Sequence, residues 1–545
     1  MNNQETQYMA DLKVVNMRKF SSYGPVNTKD HFCIQRQSLI NQCVKQLTGN
    51  TESKGDYFTI WAPRQTGKTW LIQETAKTIK SQNNKPFIVA CISMQGFIPE
   101  GNCLSESFLK YFFSALEDEL CIQINQQPGW NNLRQLFNRQ KGLFDKPLIL
   151  FIDEFDTLAP EIIDQIVTLF RDMYLKREHY RLHGLVLVGV RSVMGVDSER
   201  ASPFNVQRSM KVDNFSLSEV IALFDQYQHD SGQKIKSEVV ETIFHITSGQ
   251  PGLVSWFGEL LTEKYNQNKN ACICENLWKY VFELACNVEP NNTVINMIAK
   301  ARKNYQRQIM ELFFRSDIPF SFDANWCNYL YMHGIISPRI QEIKKGFFKS
   351  LCQFSSPFIQ HKLYHALTFD LIEDQEKNVN KLDWLDDLSD VLDPPELNLN
   401  ALMDRYQNYI NRLKEKGIYI WKNQPLRIED LRPREAIGHF HLYAWMNETI
   451  SSYCVVTPEF PTGNGQVDIH IQCGNKSGII EIKSFKDMRQ LKLAKHQAVK
   501  YANHLSYSSV LLVVFMADVS DEIINTICSQ EKMDGINLRV KAISI

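Results

Sequence analysis

Apolar residues in the first half of the chain fall in short unbroken runs separated by helically spaced stretches. Phe58–Ala62, Phe87–Ile92, Leu148–Ile152 and Leu185–Val190 are such runs, as expected of strands covered on both faces of a parallel sheet. Between them the spacing changes. Ile34–Leu47, then Leu71, Ile72, Thr75 and Ile79, then Phe108, Tyr111, Phe112 and Leu116 recur at helical intervals. Strand and helix in alternation predict an α/β fold built on a parallel sheet. From Ser216 to about Asn270 the pattern is wholly helical.

From Glu289 to Leu367 short helices lead to Gly334-Ile-Ile, a charged turn and Gly346-Phe-Phe-Lys, a helix-then-hairpin order that reads as a winged helix. No dense Arg/Lys helix face accompanies it, which favours a role in packing domains together. Residues 370–400 turn acidic and Pro-punctuated, with Asp383, Asp386, Asp387, Asp390, Asp393, Pro394 and Pro395, the composition of a linker. An amphipathic helix (Leu402–Leu413) follows. The last domain opens with a helix (Arg434–Ile450) and a strand (Tyr453–Thr457). Two alternating strands, Gln466–Ile471 and Ile479–Lys483, flank a Gly474-Asn turn and make a hairpin. A further helix carries Gln497 and Tyr501.

At 545 residues the chain exceeds one core, and its length alone suggests about three or four domains. Its 44% hydrophobic and 22% charged residues are those of a globular protein. A net charge of −1 gives no global basic signal, so any nucleic-acid contact must come from a local patch. The polar N-terminus lacks the apolar core of a signal peptide, and the apolar run ending at Met516 is too short to span a bilayer. The expectation is a cytoplasmic protein without membrane contact. Thirteen scattered cysteines, an odd number, argue for reduced thiols rather than a complete disulfide framework or a metal site.

The first candidate chemistry sits where the Phe58 strand breaks. Ala62-Pro63-Arg64-Gln65-Thr66-Gly67-Lys68-Thr69-Trp70 runs from strand end through a polar loop into a helix, the context of a phosphate-binding loop. A helix N-terminus offers free N–H groups and a positive dipole end to an anion. Lys68 would reach the outer phosphates of ATP, and the Thr69 hydroxyl would sit on Mg²⁺. Ala62 stands where the motif's first Gly usually does. The Leu148 strand ends in Asp153-Glu154, at the strand edge where ligands gather in open α/β sheets. Asp153 is placed to hold Mg²⁺ and Glu154 to polarise the attacking water as general base. Arg191, at the end of the fourth strand, is a candidate γ-phosphate sensor or an ordinary surface residue, with Arg200 and Arg208 as weaker alternatives. Met17–His31, an aromatic non-periodic lead-in, would cover the adenine end of the site or form a simple ordered arm.

With APRQTGKT, LILFIDE, VGVRS and the lid sequence SGQPG (Gly249, Gln250, Pro251) in this order, residues from about Arg18 to Asp370 resemble AAA-type ATPases of the STAND/archaeal-ATPase kind. The resemblance implies nucleotide binding and hydrolysis, with Lys68, Thr69, Asp153 and Glu154 in their family roles, and Pro251 near the base.

A second constellation lies on the C-terminal hairpin. Alternation puts Glu481 and Lys483 on one face, with Asp468 across from them. Two carboxylates and a lysine suit metal-assisted phosphodiester hydrolysis. Asp468 and Glu481 would bind Mg²⁺, or Mn²⁺ as the alternative, and Lys483 would activate water and offset phosphate charge. Asp468…Glu481-Ile482-Lys483 resembles the PD-(D/E)XK nuclease superfamily. That resemblance implies a helix-borne Glu435, with Glu459 as the other candidate; Gln466 stands where many relatives carry Arg. Lys483, Lys486, Arg489, Lys492, Lys495, His496 and Lys500 would line a DNA backbone or form a solvated helix face.

The expected organisation is an N-terminal arm (1–33), a P-loop AAA-like core (34–212), a helical lid (213–288), a winged-helix-like segment (289–370), a linker and connecting helix (371–416), and a restriction-endonuclease-like α/β domain (417–545). The functional expectation is an ATPase coupled to a Mg²⁺-dependent nuclease acting on DNA. Its alternative is a nucleotide-controlled DNA- or partner-binding switch with an inactive nuclease fold. A homo-oligomer is left open.

Overall fold

The computed structural model describes residues 18–24, 26–49, 55–82, 87–100, 103–189, 209–315, 317–371, 379–419, 435–459, 468–505, 507–516 and 521–545. The chain forms two compact units, one of residues 1–293 and 322–335, the other of residues 294–321 and 336–545.

In the first unit, β1 (Tyr57–Trp61), β2 (Ile88–Ser93), β3 (Leu148–Asp153), β4 (Leu182–Gly189) and β5 (Ser209–Lys211) form one sheet in the order β2-β3-β4-β1-β5. Every pairing is parallel. Leu148, Leu150 and Ile152 pack with the Leu104–Leu120 and Pro160–Leu175 helices. Ile149 and Phe151 pack on the opposite side with the Gln37–Thr48 and Lys68–Ser81 helices. Burial on both faces is why these strands read as continuous apolar runs. The three-residue β5 (Ser-Met-Lys) buries only Met210 and carries no such run.

The lid comprises helices Leu217–Ser231, Ser237–Thr247 and Pro251–Glu259. Ser216 and Glu219 close the first with a reciprocal capping box. The lead-in segment docks here: Phe20 lies 5.0 Å from Phe224 and 5.1 Å from Phe32, and Arg18 pairs with Asp230 at 2.8 Å.

In the second unit, β6 (Ile336–Lys344) and β7 (Phe347–Phe354) form a two-stranded antiparallel hairpin, with the 318–320 segment bridging to β7 at its base. The distal half of this ribbon is exposed on both faces, so the packing role expected of it does not extend beyond its base. A mixed sheet of β8 (Val455–Glu459), β9 (Asp468–Cys473), β10 (Lys476–Ser484), β11 (Ser509–Met516), β12 (Ser529–Met533) and β13 (Ile536–Ser544) has the order β12-β13-β11-β10-β9-β8. The Met488–His504 helix covers one face through Leu491, Ala494 and Ala498 against Ile479, Leu512 and Leu538. The Glu435–Thr449 helix covers the other: a Cβ on Gly438 would stand 2.4 Å from the Phe515 ring. Pro458 sits in β8, an edge strand, where its missing N–H costs no ladder bond.

The reduced-thiol expectation fails at one pair. Antiparallel register sets Val455 opposite Gln472, and one step outward Cys454 and Cys473 form a disulfide with their Cα atoms 4.2 Å apart. The other eleven cysteines are free.

Candidate nucleotide site and a second carboxylate cluster

β1 ends at Trp61, and the loop from Ala62 to Gly67 delivers the chain to a helix that starts at Lys68. Two residues take left-handed backbone, Gln65 at φ 58° and Gly67 at φ 88°, and curl the loop so that its interior holds the Lys68 side chain. The ammonium of Lys68 donates to the carbonyls of Ala62 and Pro63, both at 2.9 Å. Thr66 ties the loop back to Pro63 at 2.9 Å. Burial pushes the Lys68 pKa down, while Glu154, Asp153 and Asp156 pull it up. The net shift is downward, and the lysine stands as a buried donor with carboxylates nearby, placed to meet a polyanion.

The two strand ends converge on Thr69. Its hydroxyl donates to Asp153 Oδ2 at 2.7 Å, and Asp153 Oδ1 accepts the Glu154 N–H at 2.9 Å. Glu154 itself stands in left-handed backbone, φ 52°, an uncommon conformation for a non-glycine residue. Burial, then the charge of Asp153, raises the Glu154 carboxyl above its ordinary range, the direction that suits a general base near neutral pH. A hydroxyl and a carboxylate in contact beside a buried ammonium are the donor set a Mg²⁺–phosphate group requires.

Trp70 plays a different part from the one its place in the motif suggested, since its ring packs into the hydrophobic core with Ile40, Val44 and Met210. Arg64 is exposed and meets the lid through its carbonyl. Arg191, Arg200 and Arg208 lie outside the described residues.

Pro251 opens its helix at the first turn, and around it the lid grips the loop. Gln250 caps that helix through Oε1, which accepts the Leu253 N–H, while its Nε2 donates to the Arg64 carbonyl at 3.1 Å. Gly252 N–H donates to the Gln65 carbonyl at 3.0 Å. A Cβ on Gly252 would sit 2.5 Å from Gln65 Cβ, so only glycine permits this approach. Gln65 also donates to the Ser22 carbonyl of the lead-in segment at 3.0 Å. Gly252 and Asp156 were not singled out from sequence; a Cβ on Gly189 would stand 2.4 Å from Asp156 Oδ1. Their roles come from contacts between segments far apart in the chain.

In the second unit, Glu481 and Lys483 form an ion pair at 2.7 Å, with the carboxylate only 1% exposed. β10 pairs Ile480 with Ile469, one step before Glu481 and Asp468, and β8 pairs Glu459 with Asp468. Glu459, Asp468 and Glu481 therefore occupy neighbouring register positions across three strands. The side chains of Glu459, Asp468 and Glu435 lie outside the described residues, as does Gln466. Among the described residues no cluster of three or more His, Cys, Asp or Glu is arranged to hold a metal ion. Of the basic residues, Arg489, Lys492, His496 and Lys500 are exposed on the Met488–His504 helix and Lys486 just before it, while Lys483 is in β10 and Lys495 is engaged by Glu531 at 2.7 Å.

Residues 21–271 match the family model of an AAA-like domain. The first unit carries an AAA-like P-loop ATPase domain. The AAA-like match agrees with the parallel strand order and with the loop that closes on Lys68. Residues 402–518 match a family described only as a domain of unknown function (DUF8371). No curated protein matches the chain.

Among solved structures, the Walker-type ATPase PABY2304 of Pyrococcus abyssi is 13% identical, over 63% of this chain and 99% of that one, at a TM-score of 0.43. Cdc6p from Pyrobaculum aerophilum is 14% identical over 65% of this chain and 100% of that one, at 0.36. The RuvB Holliday junction branch migration motor of Thermotoga maritima is 12% identical over 56% and 90%, at 0.33. Among the described residues no helix is long and apolar enough to cross a membrane.

Proposed function

We propose that the protein binds and hydrolyses ATP and uses that cycle to control a divalent-metal-dependent nuclease domain acting on DNA. The ATPase half rests on the Thr69–Asp153 contact beside the buried Lys68 ammonium. Lys68 would bind the outer phosphates, Thr69 and Asp153 would hold Mg²⁺, and Glu154 would take the proton of the attacking water. The bound ion supplies charge neutralisation at the phosphates. Gln250 and Gly252 hold the loop against the lid, so a change at the phosphates would be felt by the lid helices.

The nuclease half rests on one juxtaposition, the Glu481–Lys483 pair beside the register positions of Asp468 and Glu459. The element order helix, β8, β9, β10, helix, β11 around it agrees with the superfamily that the sequence resembles. Asp468 and Glu481 would hold Mg²⁺ or Mn²⁺, Lys483 would orient water, and Glu435 would complete the set.

A second reading, a nucleotide-controlled switch whose C-terminal domain grips DNA or a partner without cutting, is favoured by the depth of Glu481. A carboxylate this buried and already paired with lysine is costly to open to a hydrated ion. Incubating supercoiled plasmid with protein, Mg²⁺ and ATP separates the two. Nicking by wild type that is lost in Lys483→Ala supports the nuclease; ATP-dependent retention without nicking supports the switch.

A further inference from the structure

The β6–β7 hairpin carries a feature that neither chemistry uses. Its base is anchored by Ile336, Leu351 and Cys352, all buried. Beyond that base every residue from 340 to 350 is exposed. Four of them are large and apolar: Ile340 is 72% exposed, Ile343 59%, Phe347 71% and Phe348 67%. The 318–320 segment bonds to β7 at Ser350 and Cys352; an apolar cluster on the two-stranded tip beyond it weakens an element that is already marginal alone, and such clusters mark interaction sites. The charges around it are mainly one sign. Lys344, Lys345 and Lys349 flank the rings; of the carboxylates near them, Glu342 accepts the Gly346 N–H at 2.8 Å, and Asp317 lies on the Lys349 side, towards the base.

Geometry narrows the partner. Phe347 pairs with Lys344 and Phe348 with Glu342 in the ladder, and successive strand residues point to opposite faces. The two rings therefore project from both sides of one tip, with lysines at its end. A flat protein surface would meet only one of those faces. A polymer that encloses the tip, offering ring-sized apolar planes flanked by anions, meets both.

We propose that this tip probes DNA, with Phe347 and Phe348 stacking on bases or wedging between them while Lys344, Lys345 and Lys349 neutralise flanking phosphates. This rests on the DNA reading above and adds a contact remote in sequence from the carboxylate cluster. The test is anisotropy of full-length protein with a labelled duplex of about 25 base pairs, in EDTA so that cleavage plays no part. A matching strand with 2-aminopurine reports unstacking.

Phe347→Ala/Phe348→Ala should weaken binding at least about 10-fold, since one lost base–aromatic stack costs about 5- to 160-fold, and should abolish the 2-aminopurine change. Lys344→Ala/Lys345→Ala should make the slope of log K against log salt shallower by about 1.8, from about 0.9 per phosphate contact. These side chains are exposed, so matching melting curves will show the variants folded. Wild-type binding with both hairpin variants unchanged overturns the hairpin proposal and leaves the DNA reading standing. No wild-type binding overturns both. Loss of phosphatidylserine-vesicle binding, or of self-association by light scattering, with DNA affinity unchanged also overturns it.

Discussion

Gln250 joins two jobs that substitution can separate. Its Oε1 caps the Pro251–Glu259 helix, and its Nε2 holds the nucleotide loop at the Arg64 carbonyl, 3.1 Å away. Gln250→Ala removes both. Loss of a cap costs about 1 kcal/mol, and loss of the loop bond about 0.5–1.5 kcal/mol, together roughly 1.5–2.5 kcal/mol. In a unit of this size that lowers the melting temperature by about 3–10 °C. Gln250→Ser keeps a capping oxygen, since serine is a favoured N-cap, but cannot reach Arg64. It should recover about 1 kcal/mol of the stability.

Nucleotide affinity should fall in both variants alike, by about 2- to 12-fold, the equivalent of the loop bond alone. The effect stays modest because Gly252 still donates to Gln65 at 3.0 Å. Differential scanning fluorimetry of the full chain and titration with a fluorescent ATP analogue measure the two quantities. Wild-type ATP affinity in Gln250→Ser would refute the loop-clamp argument, and identical melting of Ser and Ala variants would refute the capping argument.

Glu154→Gln should leave ATP binding intact and slow turnover about 10²- to 10⁴-fold, measured as phosphate release; wild-type turnover should fall with decreasing pH sooner than for an ordinary carboxylate, because burial raises the Glu154 pKa. Gly252→Ala should weaken nucleotide binding more than Gln250→Ser does, because its methyl group would stand 2.5 Å from Gln65 Cβ and force loop and lid apart; equal affinities would sink that argument. His361 and His365, their rings 4.3 Å apart, are held neutral, burial pushing their pKa values down to about 3 and about 4, with Lys362 adding to the effect at both. The unfolded chain takes up protons near pH 6.5 while the native one does not, so stability should fall from pH 6.5 towards pH 4. The slope is about 1.4 kcal/mol per pH unit for each histidine, read from denaturant melts; His361→Gln/His365→Gln should flatten it, and an unflattened slope would refute the assignment.

Much of the first unit was legible in the chain, and for a physical reason. Strands covered on both sides must be continuously apolar, and a phosphate loop must join a strand end to a helix start, so both features are local in sequence. The register positions of Asp468 and Glu481 were legible for the same reason, because a tight Gly474 turn fixes the hairpin pairing. Other features were decided only by the tertiary structure. β5 is too short to show a pattern, and it forms because β1 offers it an edge. Gln250 and Gly252 meet Arg64 and Gln65 only after the lid folds back across more than half of the unit. Trp70 belongs to the motif by position and to the core by packing, since the helix turns its ring inward. Cys454 and Cys473 looked scattered until neighbouring strands brought them together. Phe347 and Phe348 read as ordinary strand residues, for sequence gives their periodicity but not whether anything packs against the ribbon. Local chemistry is written in the order of residues; exposure and contact between distant segments are properties of the folded chain.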